Sequence, residues 1–349
     1  MIVHARAGCP CYDWGMKDVY RKVIDVLSGC KRVLVTTHVR PDGDALGSVA
    51  GMVLGLRRAG IESEVLLLSH LPRKYAFIFH ENKITYVDVE EGWPAAFTLG
   101  GLDTLVVVDT GTWSQLPGVK KKVEGWNKPK LVIDHHLTQE DWADVKLVVS
   151  EAAAAGEIVA ELLDEWGIEL DREIATALYA AVASDTGWFQ FANTRPYTLR
   201  LAARLMECGV DTDRIYQALY QNESAKRVAL ATRAQESLEL LEGGRLAVMT
   251  LTPSDFQRTG AGVPDTENLI NIPLQIATVA VSIIIVEPKD GEEIRVSLRS
   301  KGGVDVAKFA EQFGGGGHAR ASGLRMKGQV EEVRGRIVHA MKETMNDER

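Results

Sequence analysis

The sequence predicts an α/β protein of two domains. Its 349 residues are enough for about two domains of roughly 150 residues each. An apolar fraction of 46% and a charged fraction of 25% are ordinary for a globular chain with a large core. Short β-branched runs alternate with helical stretches along the first half. This alternation predicts a mainly parallel sheet that is flanked by helices on both faces.

We expect an N-terminal extension over residues 1–16 and a first domain over residues 17–210. Each predicted strand is a short apolar run between polar turns, and the stretches between several of them read as helices. The predicted strands are 33–37, 64–68, 104–108, 131–133 and 146–149, and the predicted helices are 17–28, 45–58, 152–166, 172–184 and 196–208.

Residues 211–241 are long, polar and helix-prone, and we interpret them as a helical linker. A second, smaller α/β domain then follows over residues 242–349. Its predicted strands are 246–251, 278–286, 293–298 and 321–326, and its predicted helices are 304–313 and 329–345, with a glycine run at 314–317.

Charge and composition exclude several classes of protein. Forty basic against 48 acidic residues give a net charge of −8, which argues against binding along a long nucleic-acid duplex. No apolar run approaches the roughly 18 residues of a membrane span, and the first residues lack a signal pattern. We therefore expect a cytoplasmic protein without a membrane partner. Cys9 and Cys11 have no matching second pair, so a frayed extension is favoured over a metal or redox site there.

Polar clusters follow three predicted strands and one predicted helix. Because the carboxyl ends of parallel strands share one edge of a sheet, the three clusters that follow strands are expected to lie close together. The residues concerned are His38, Asp42 and Asp44 after the first strand, Asp109 after the third, Asp134, His135 and His136 after the fourth, and Asp185 at the helix end.

This set of side chains favours bound divalent cations. So many carboxylates would repel one another, and cations remove that repulsion. Oxygen and imidazole ligands without a thiolate suit Mn²⁺, Mg²⁺ or Fe better than a structural zinc. The ligands exceed the needs of one ion, so we expect two ions with a bridging carboxylate, an arrangement suited to displacement at phosphorus. Any one residue could be a helix cap or a buried histidine, but four clusters together are not explained that way.

These clusters resemble the DHH superfamily of phosphoesterases, which is named for the Asp-His-His at 134–136. The resemblance includes the HxxxDxD pattern that begins at His38, the Val-Val-Asp-Thr-Gly segment around Asp109 and the Ala-Ser-Asp-Thr-Gly segment around Asp185. It extends from about Lys17 to the C-terminus.

The resemblance implies a role for each of these residues. One Mn²⁺ would be held by His38, Asp42 and Asp109, and the other by Asp44, Asp109, His135 and Asp185. Mg²⁺ or another divalent ion would fit the same ligands. Three residues would be catalytic: Asp109 as the bridge, His136 beside the phosphate as hydrogen-bond donor or general acid, and Asp134 as the residue that orients the histidines.

The glycine run that ends at His318 is a second signal. It lets a backbone approach a ligand closely and offers N–H groups to an anion, but it lacks the Lys of a P-loop. A flexible turn is the alternative. With Arg299 at a strand end, the segment resembles the DHHA1 domain that follows some DHH domains. The substrate-binding residues would then be Arg299, Ser300, Gly316, Gly317 and His318, with the role of Arg320 left open.

Among DHH–DHHA1 proteins, the chain resembles the short subgroup: oligoribonucleases of very short RNA that also convert 3′-phosphoadenosine 5′-phosphate (pAp) to AMP. The expected substrates are short RNA, dinucleotides or pAp. Three alternatives stay open: a cyclic di-AMP phosphodiesterase, a RecJ-type single-strand exonuclease, or a nucleotide-binding regulator with little catalysis. Trp188, Phe189 and Phe191 are candidates for base stacking, although core packing is favoured. Homodimers are compatible with such domains, but no residue specifies one.

Overall fold

The computed structural model describes residues 14–94, 97–289 and 293–347. The chain forms two compact units that divide between Asn222 and Glu223. Most of the predicted N-terminal extension, including Cys9 and Cys11, lies outside the described residues. The first helix begins at Trp14, within the range predicted as extension.

The first unit alternates strands and helices, as expected from its apolar runs. Its elements are α1 (Trp14–Ser28), β1 (Arg32–Thr36), α2 (Gly43–Arg58), β2 (Glu62–Leu67), α3 (Ala76–Glu81), β3 (Tyr86–Asp88), β4 (Thr104–Val108), α4 (Val119–Lys122), β5 (Lys130–Asp134), β6 (Val145–Val148), α5 (Ala155–Glu165), α6 (Arg172–Asp185), α7 (Pro196–Glu207) and α8 (Thr212–Tyr220).

The six strands of the first unit form one sheet in the order β3-β2-β1-β4-β5-β6, and every neighbouring pair is parallel. Alternate side chains of each strand enter different cores. Val33 and Val35 pack into the core that contains α2, α5 and α6, whereas Leu34 packs into the core on the opposite face. The predicted α/β class with a parallel sheet is therefore confirmed. The short, half-buried strand β3 was not predicted.

Helices α2 and α6 pack antiparallel at close range because α2 carries small residues on one face. A Cβ at Gly43 would lie 2.0 Å from Ser184 Oγ, and one at Gly47 would lie 2.5 Å from the Ala177 carbonyl oxygen. Glycine at these positions lets the helix axes approach. This packing places the N-terminus of α2 beside the C-terminus of α6.

The segment predicted as a helical linker, 211–241, is divided between the two units. Helix α8 belongs to the first unit, and α9 (Ala225–Glu236) and strand β7 (Glu239–Leu241) belong to the second. Helix α9 buries Leu230 and Ala234 against strands of the second unit. Apolar positions of this polar segment are therefore used for packing within one unit or the other.

The second unit is a mixed sheet with helices. After α9 and β7, its elements are β8 (Leu246–Leu251), α10 (Pro253–Thr259), β9 (Val281–Val286), β10 (Ile294–Ser300), α11 (Val306–Glu311), β11 (Gly316–His318), β12 (Ala321–Met326) and α12 (Val330–Asp347). The strands run in the order β11-β12-β10-β9-β8-β7, and among them only the β8–β9 pair is parallel. Helices α11 and α12 cover one face of the central strands.

The glycine run at 314–317 is not wholly a loop. Gly316–His318 form the edge strand β11, which pairs antiparallel with β12. Gly317 has a φ of +145°, and a Cβ there would lie 2.5 Å from the Ala321 carbonyl oxygen. A glycine is therefore needed for this close strand pairing, a reason that the sequence pattern did not suggest.

None of the helices in the described part of the chain has the length and apolar character that crossing a bilayer requires.

Candidate metal centre and substrate-binding residues

The predicted metal ligands meet at the carboxyl edge of the parallel sheet. His38 follows β1, Asp109 follows β4 and His135 follows β5, and these three strands are neighbours. The antiparallel packing of α2 on α6 brings Asp44, in the first turn of α2, to Asp185, the last residue of α6. Sheet topology and helix packing thus deliver ligands from four separate parts of the sequence to one place.

The candidate ligand atoms form two sets, and Asp109 lies beside both. Asp109 Oδ2 lies 3.4 Å from His38 Nε2, and Asp109 Oδ1 lies 3.4 Å from His135 Nε2. Asp109 therefore presents one oxygen to each set. Within each set the candidate ligand atoms lie within 4.8 Å of one another; the sets are His38, Asp42 and Asp109, and Asp44, His135 and Asp185.

Hydrogen bonds fix the orientation of both imidazoles. His38 Nδ1 lies 3.0 Å from the carbonyl oxygen of Val39, and His135 Nδ1 lies 3.1 Å from that of Ala152. In each ring the Nδ1–H donates to the carbonyl, so Nε2 faces the carboxylates and, once deprotonated, presents its lone pair to them. This is the tautomer that a metal-binding histidine needs.

Asp109 occupies a strained and electrostatically unusual position. Its φ is +64°, in the left-handed region that non-glycine residues rarely adopt. The residue is only 2% exposed, and its Oδ1 atom has no hydrogen-bond partner among the described residues. Backbone strain of this kind concentrates at functional sites, and a buried oxygen without a donor is well suited to a cation.

Without a metal, the neighbouring carboxylates favour the charged forms of both histidines. Burial disfavours the cation of His38, but its contact with Asp109 outweighs burial and raises the pKa to about 9. Burial likewise opposes the cation of His135, and Asp109, Asp44 and Asp185 together raise its pKa to about 10. Protons on the imidazoles thus take the place that divalent cations would fill.

The carboxylates show the complementary pattern. Burial, with Asp109 nearby, raises the pKa of Asp44 well above its ordinary value. Burial also raises the pKa of Asp185 to about 6, with the charge of His135 acting against it. Burial alone would raise the pKa of Asp109, but His135 and His38 hold it below its ordinary value. The centre concentrates negative charge in a buried space, and its oxygen and imidazole donors fit divalent metal ions.

Asp134 organises the loop that carries both histidines. It is fully buried, and its Oδ1 accepts the backbone N–H groups of His135 at 2.8 Å and His136 at 3.2 Å. The same oxygen lies 2.8 Å from His136 Nδ1, and this hydrogen bond is the main reason that the pKa of His136 is raised. The His136 side chain is 55% exposed, so its Nε2 is available at the open side of the centre.

The predicted substrate-binding residues lie in the second unit, on strands β10 and β11. Arg299 on β10 and His318 on β11 both pair with Ala321 of the intervening strand β12. Residues directly opposite one another in antiparallel strands point to the same face, so Arg299 and His318 share a face across a small alanine. Gly316, Gly317 and His318 are exposed.

Arg299 is suited to hold an anion. Its guanidinium is half-buried, no carboxylate pairs with it among the residues that the structure describes, and burial lowers its pKa. Ser300 is buried, and its hydroxyl accepts the N–H of Gly302 at 3.0 Å. The face that carries Arg299 and His318 therefore offers positive charge without an acidic neighbour to neutralise it.

Several residues that shape the metal centre were missed by the sequence reasoning. Ser48 donates to Asp44 at 2.9 Å, and Gln139 donates to the second oxygen of Asp134. Asn193 donates to both the side chain and the carbonyl of Asp185. A further group outside this centre joins exposed His70 and Glu90 with Asp88, the last residue of β3. Ser48 lies one helical turn after Asp44, a spacing that could have been noticed; Asn193 carries no such signal.

Trp188 and Phe189 pack against the core that contains α2, α5 and α6, as the favoured core-packing interpretation predicts. Phe191, in contrast, is 60% exposed. Both Trp188 and Phe189 have left-handed backbones, with φ of +57° and +65°. The aromatic segment therefore begins in a tight, strained turn just after Asp185 and does not offer three exposed rings.

A parallel sheet with two sets of carboxylate and imidazole ligands at its carboxyl edge defines a metal-dependent phosphoesterase, a hydrolase. The chain belongs to the DHH/DHHA1 family: the N-terminal domain of the DHH family matches residues 32–182, and the DHHA1 domain matches residues 244–347. The resemblance recognised from the motifs is therefore confirmed.

Two relatives illustrate the likeness. The bifunctional oligoribonuclease and PAP phosphatase NrnA of Thermus thermophilus is 31% identical over 333 residues, which cover 95% of each chain. The protein of the same name from Bacillus subtilis is 26% identical over 309 residues, 86% of this chain and 91% of that one. Both relatives align over both domains of the present chain.

Solved structures show the same fold. The crystal structure of an exopolyphosphatase-related protein from Bacteroides fragilis superposes with a TM-score of 0.82 at 23% identity and covers 97% of this chain and 98% of that one. RecJ of Thermus thermophilus, solved with Mn²⁺, gives a TM-score of 0.53 at 14% identity. That match covers 96% of this chain but 55% of RecJ.

Proposed function

We propose that this chain hydrolyses short oligoribonucleotides and dinucleotides to mononucleotides, and pAp to AMP, with two divalent ions, Mn²⁺ in the first place. The observation that carries the proposal is the position of Asp109, whose two oxygens face two separate sets of ligands. Relatives named as oligoribonucleases and PAP phosphatases, which match along almost the whole chain, support the choice of substrate.

One ion would be held by His38, Asp42 and Asp109. The other ion would be held by Asp44, Asp109, His135 and Asp185. Bound there, the ions supply Lewis acidity toward a phosphate oxygen and lower the pKa of water. The rest of the chemistry falls to groups of the chain itself.

His136 would act on the substrate phosphate. Its Nδ1–H donates to Asp134, and this contact raises the pKa of His136 and favours the imidazolium. In that form the exposed Nε2–H can donate a hydrogen bond to a phosphate oxygen or a proton to the leaving oxygen. Asp134, itself fully buried, keeps the ring in this orientation through its hydrogen bond to Nδ1. In this proposal Asp134 positions the ring, and the His136 imidazole contacts the substrate.

A second group of residues would bind the part of the substrate that lies away from the scissile bond. These residues are Arg299, Ser300, Gly316, Gly317 and His318. An arginine binds a terminal phosphate with two parallel hydrogen bonds, and His318 on the same face can contact a neighbouring oxygen or base. The chain's net charge of −8 offers little attraction to a long strand. A local anion-binding site on a protein of negative net charge favours short substrates over long strands.

The test is Mn²⁺-dependent hydrolysis of a panel: pApA, pAp, cyclic di-AMP, a 5-mer RNA and a 24-mer RNA. We expect turnover of pApA and the 5-mer to exceed that of the 24-mer by at least about tenfold, the effect of about 1.4 kcal/mol. Equal, processive digestion of the 24-mer would contradict the short-substrate proposal. Preferential attack on cyclic di-AMP would replace it with a cyclic-dinucleotide phosphodiesterase.

A further inference from the structure

One short segment at the start of α5 contacts two ligands of one set through its backbone. The carbonyl of Ala152 accepts the Nδ1–H of His135 at 3.1 Å. The N–H groups of Ala155 and Gly156 donate to Asp44 at 2.6 and 3.0 Å. The geometry of His135 and Asp44 therefore depends on where residues 152–156 lie.

The third ligand of that set is tied to the same segment by a side chain. Asn193 Nδ2 lies 3.0 Å from the carbonyl oxygen of Ala153, 3.1 Å from that of Asp185 and 3.3 Å from Asp185 Oδ2. The Asn193 amide thus joins Asp185 to residue 153. All three ligands of the set Asp44, His135 and Asp185 are held, directly or through one amide, by residues 152–156.

The other set has no such connection. Within the described ranges, no hydrogen bond or ion pair joins residues 152–157 to His38, Asp42 or Asp109. His38 is oriented by its neighbour Val39, and Asp42 caps α2 by accepting the N–H of Ala45. The two sets therefore differ in what positions them, although they share Asp109.

An ion pair between a buried carboxylate and a partly exposed guanidinium anchors residues 152–156. Glu157 is fully buried in the first turn of α5, and its Oε2 accepts the N–H of Ala153 at 3.0 Å and a hydrogen bond from Arg195 Nη2 at 2.8 Å. Arg195 is the residue just before α7, where its N–H donates to Thr198 Oγ1. The pair thus fixes the N-terminus of α5 to that of α7.

Burial of the Glu157 carboxylate carries a cost that its contacts must offset. A buried carboxylate loses its hydration, and an apolar pair of the same size is often at least as stable. Glu157 directly follows Gly156, one of the residues whose backbone contacts a ligand, and within the described part of the chain it touches no ligand itself. Its one described link toward the centre is the N–H of Ala153.

We propose that the Glu157–Arg195 ion pair is a positioning device for one metal ion alone, the one held by Asp44, His135 and Asp185. Loss of the pair releases residues 152–156, so Asp44, His135 and Asp185 lose their fixed geometry together. The set His38, Asp42 and Asp109 keeps its own supports. This inference rests on the proposed two-ion centre.

The experiment measures Mn²⁺ binding to the full chain by equilibrium dialysis. We expect the native protein to bind two ions and Glu157→Gln to bind one with unchanged affinity and the second about 10- to 100-fold more weakly, the usual effect of losing an outer support. Addition of His38→Ala to Glu157→Gln should weaken the remaining ion as well. Glu161→Gln, one helical turn further along α5 and hydrogen-bonded to Tyr20, is the matched control and should bind two ions normally.

Each outcome decides a separate question. Fewer than two ions in the native protein would refute the two-ion centre, whereas two unchanged ions in Glu157→Gln would overturn only the positioning role. Equal weakening of both ions would also overturn it, because the effect would then be general. If Glu157→Gln does not fold by circular dichroism, Arg195→Lys decides: it keeps the charge, loses the planar fork and should still weaken one ion selectively.

Discussion

Asp109→Asn is the substitution that most directly tests the shared ligand. Asparagine has the same shape as aspartate and tolerates the left-handed backbone that this residue adopts, with a φ of +64°. Alanine would add backbone strain to the loss of the carboxylate. The asparagine variant therefore removes the negative charge and leaves the fold as it is.

The magnitude follows from the distances. Each oxygen of Asp109 lies 3.4 Å from a ligand nitrogen, that of His38 or that of His135. At an effective dielectric constant of about 20, unit charges at that separation interact by about 5 kcal/mol. Removal of one partner of a buried charge pair costs about 3–5 kcal/mol in proteins. We therefore expect each ion to bind Asp109→Asn about a hundred- to a few thousand-fold more weakly.

The assay combines Mn²⁺ titration by calorimetry with hydrolysis of the 5-mer RNA and pApA. Both ions should weaken, and hydrolysis at a fixed Mn²⁺ concentration should fall by at least about a hundredfold. Asp141→Asn is the control, because the Asp141 side chain is fully exposed and pairs with Lys146. If Asp109→Asn keeps two tightly bound ions, or loses just one, Asp109 does not bridge the two sets and the reasoning fails.

Three further predictions concern pH, substrate affinity and packing. Since the pKa values of about 9 for His38 and about 10 for His135 mean that a metal must displace protons, apparent Mn²⁺ affinity should rise from about pH 6.5 to 9, measured by calorimetry in two buffers. Arg299→Ala should raise KM for short RNA about 10- to 100-fold, with a smaller change in kcat, because a charged hydrogen bond contributes about 1.5–3 kcal/mol. Gly47→Ala should lower the free energy of unfolding by about 1–3 kcal/mol in urea titrations, because the new Cβ would lie 2.5 Å from the Ala177 carbonyl oxygen.

Matched controls and contrary results define these three tests. A pH-independent affinity would show that the imidazoles are not protonated in the metal-free protein. Arg295→Ala, on the same strand and face as Arg299, should leave KM unchanged, and an equal effect would indicate general electrostatics. Gly335→Ala in α12 meets open space and should stabilise the chain slightly, so destabilisation by both glycine changes would exclude the close-packing explanation.

The sequence predicted best the residues whose place in space follows from the sheet topology. Strands β1, β4 and β5 are neighbours and parallel, so the residues that follow them had to meet. That rule brought His38, Asp109 and His135 together from segments far apart in the chain. Asp185 needed a different reason, the close packing of α2 on α6, which the small residues of α2 permit but do not specify.

The features that could not be predicted are those made by backbone groups. The support of Asp44 comes from the N–H groups of Ala155 and Gly156, and that of His135 from the carbonyl of Ala152. Every residue has such groups, so no residue type marks them. The edge strand at Gly316–His318 is similar: a glycine run predicts freedom, whereas pairing with β12 depends on a partner elsewhere in the chain.

The electrostatics of the centre explain why its supports are so numerous. Asp44, Asp109 and Asp185 would repel one another if all were ionised, and the raised pKa values of Asp44 and Asp185 reflect that repulsion together with burial. A site of this kind tends to open or to take up protons unless other contacts hold it. Backbone donors on Asp44, the amide of Asn193 on Asp185 and the strained backbone of Asp109 hold the carboxylates in place without neutralising them. The negative charge that remains is what a divalent cation can neutralise, so the same contacts that stabilise the fold also preserve affinity for metal.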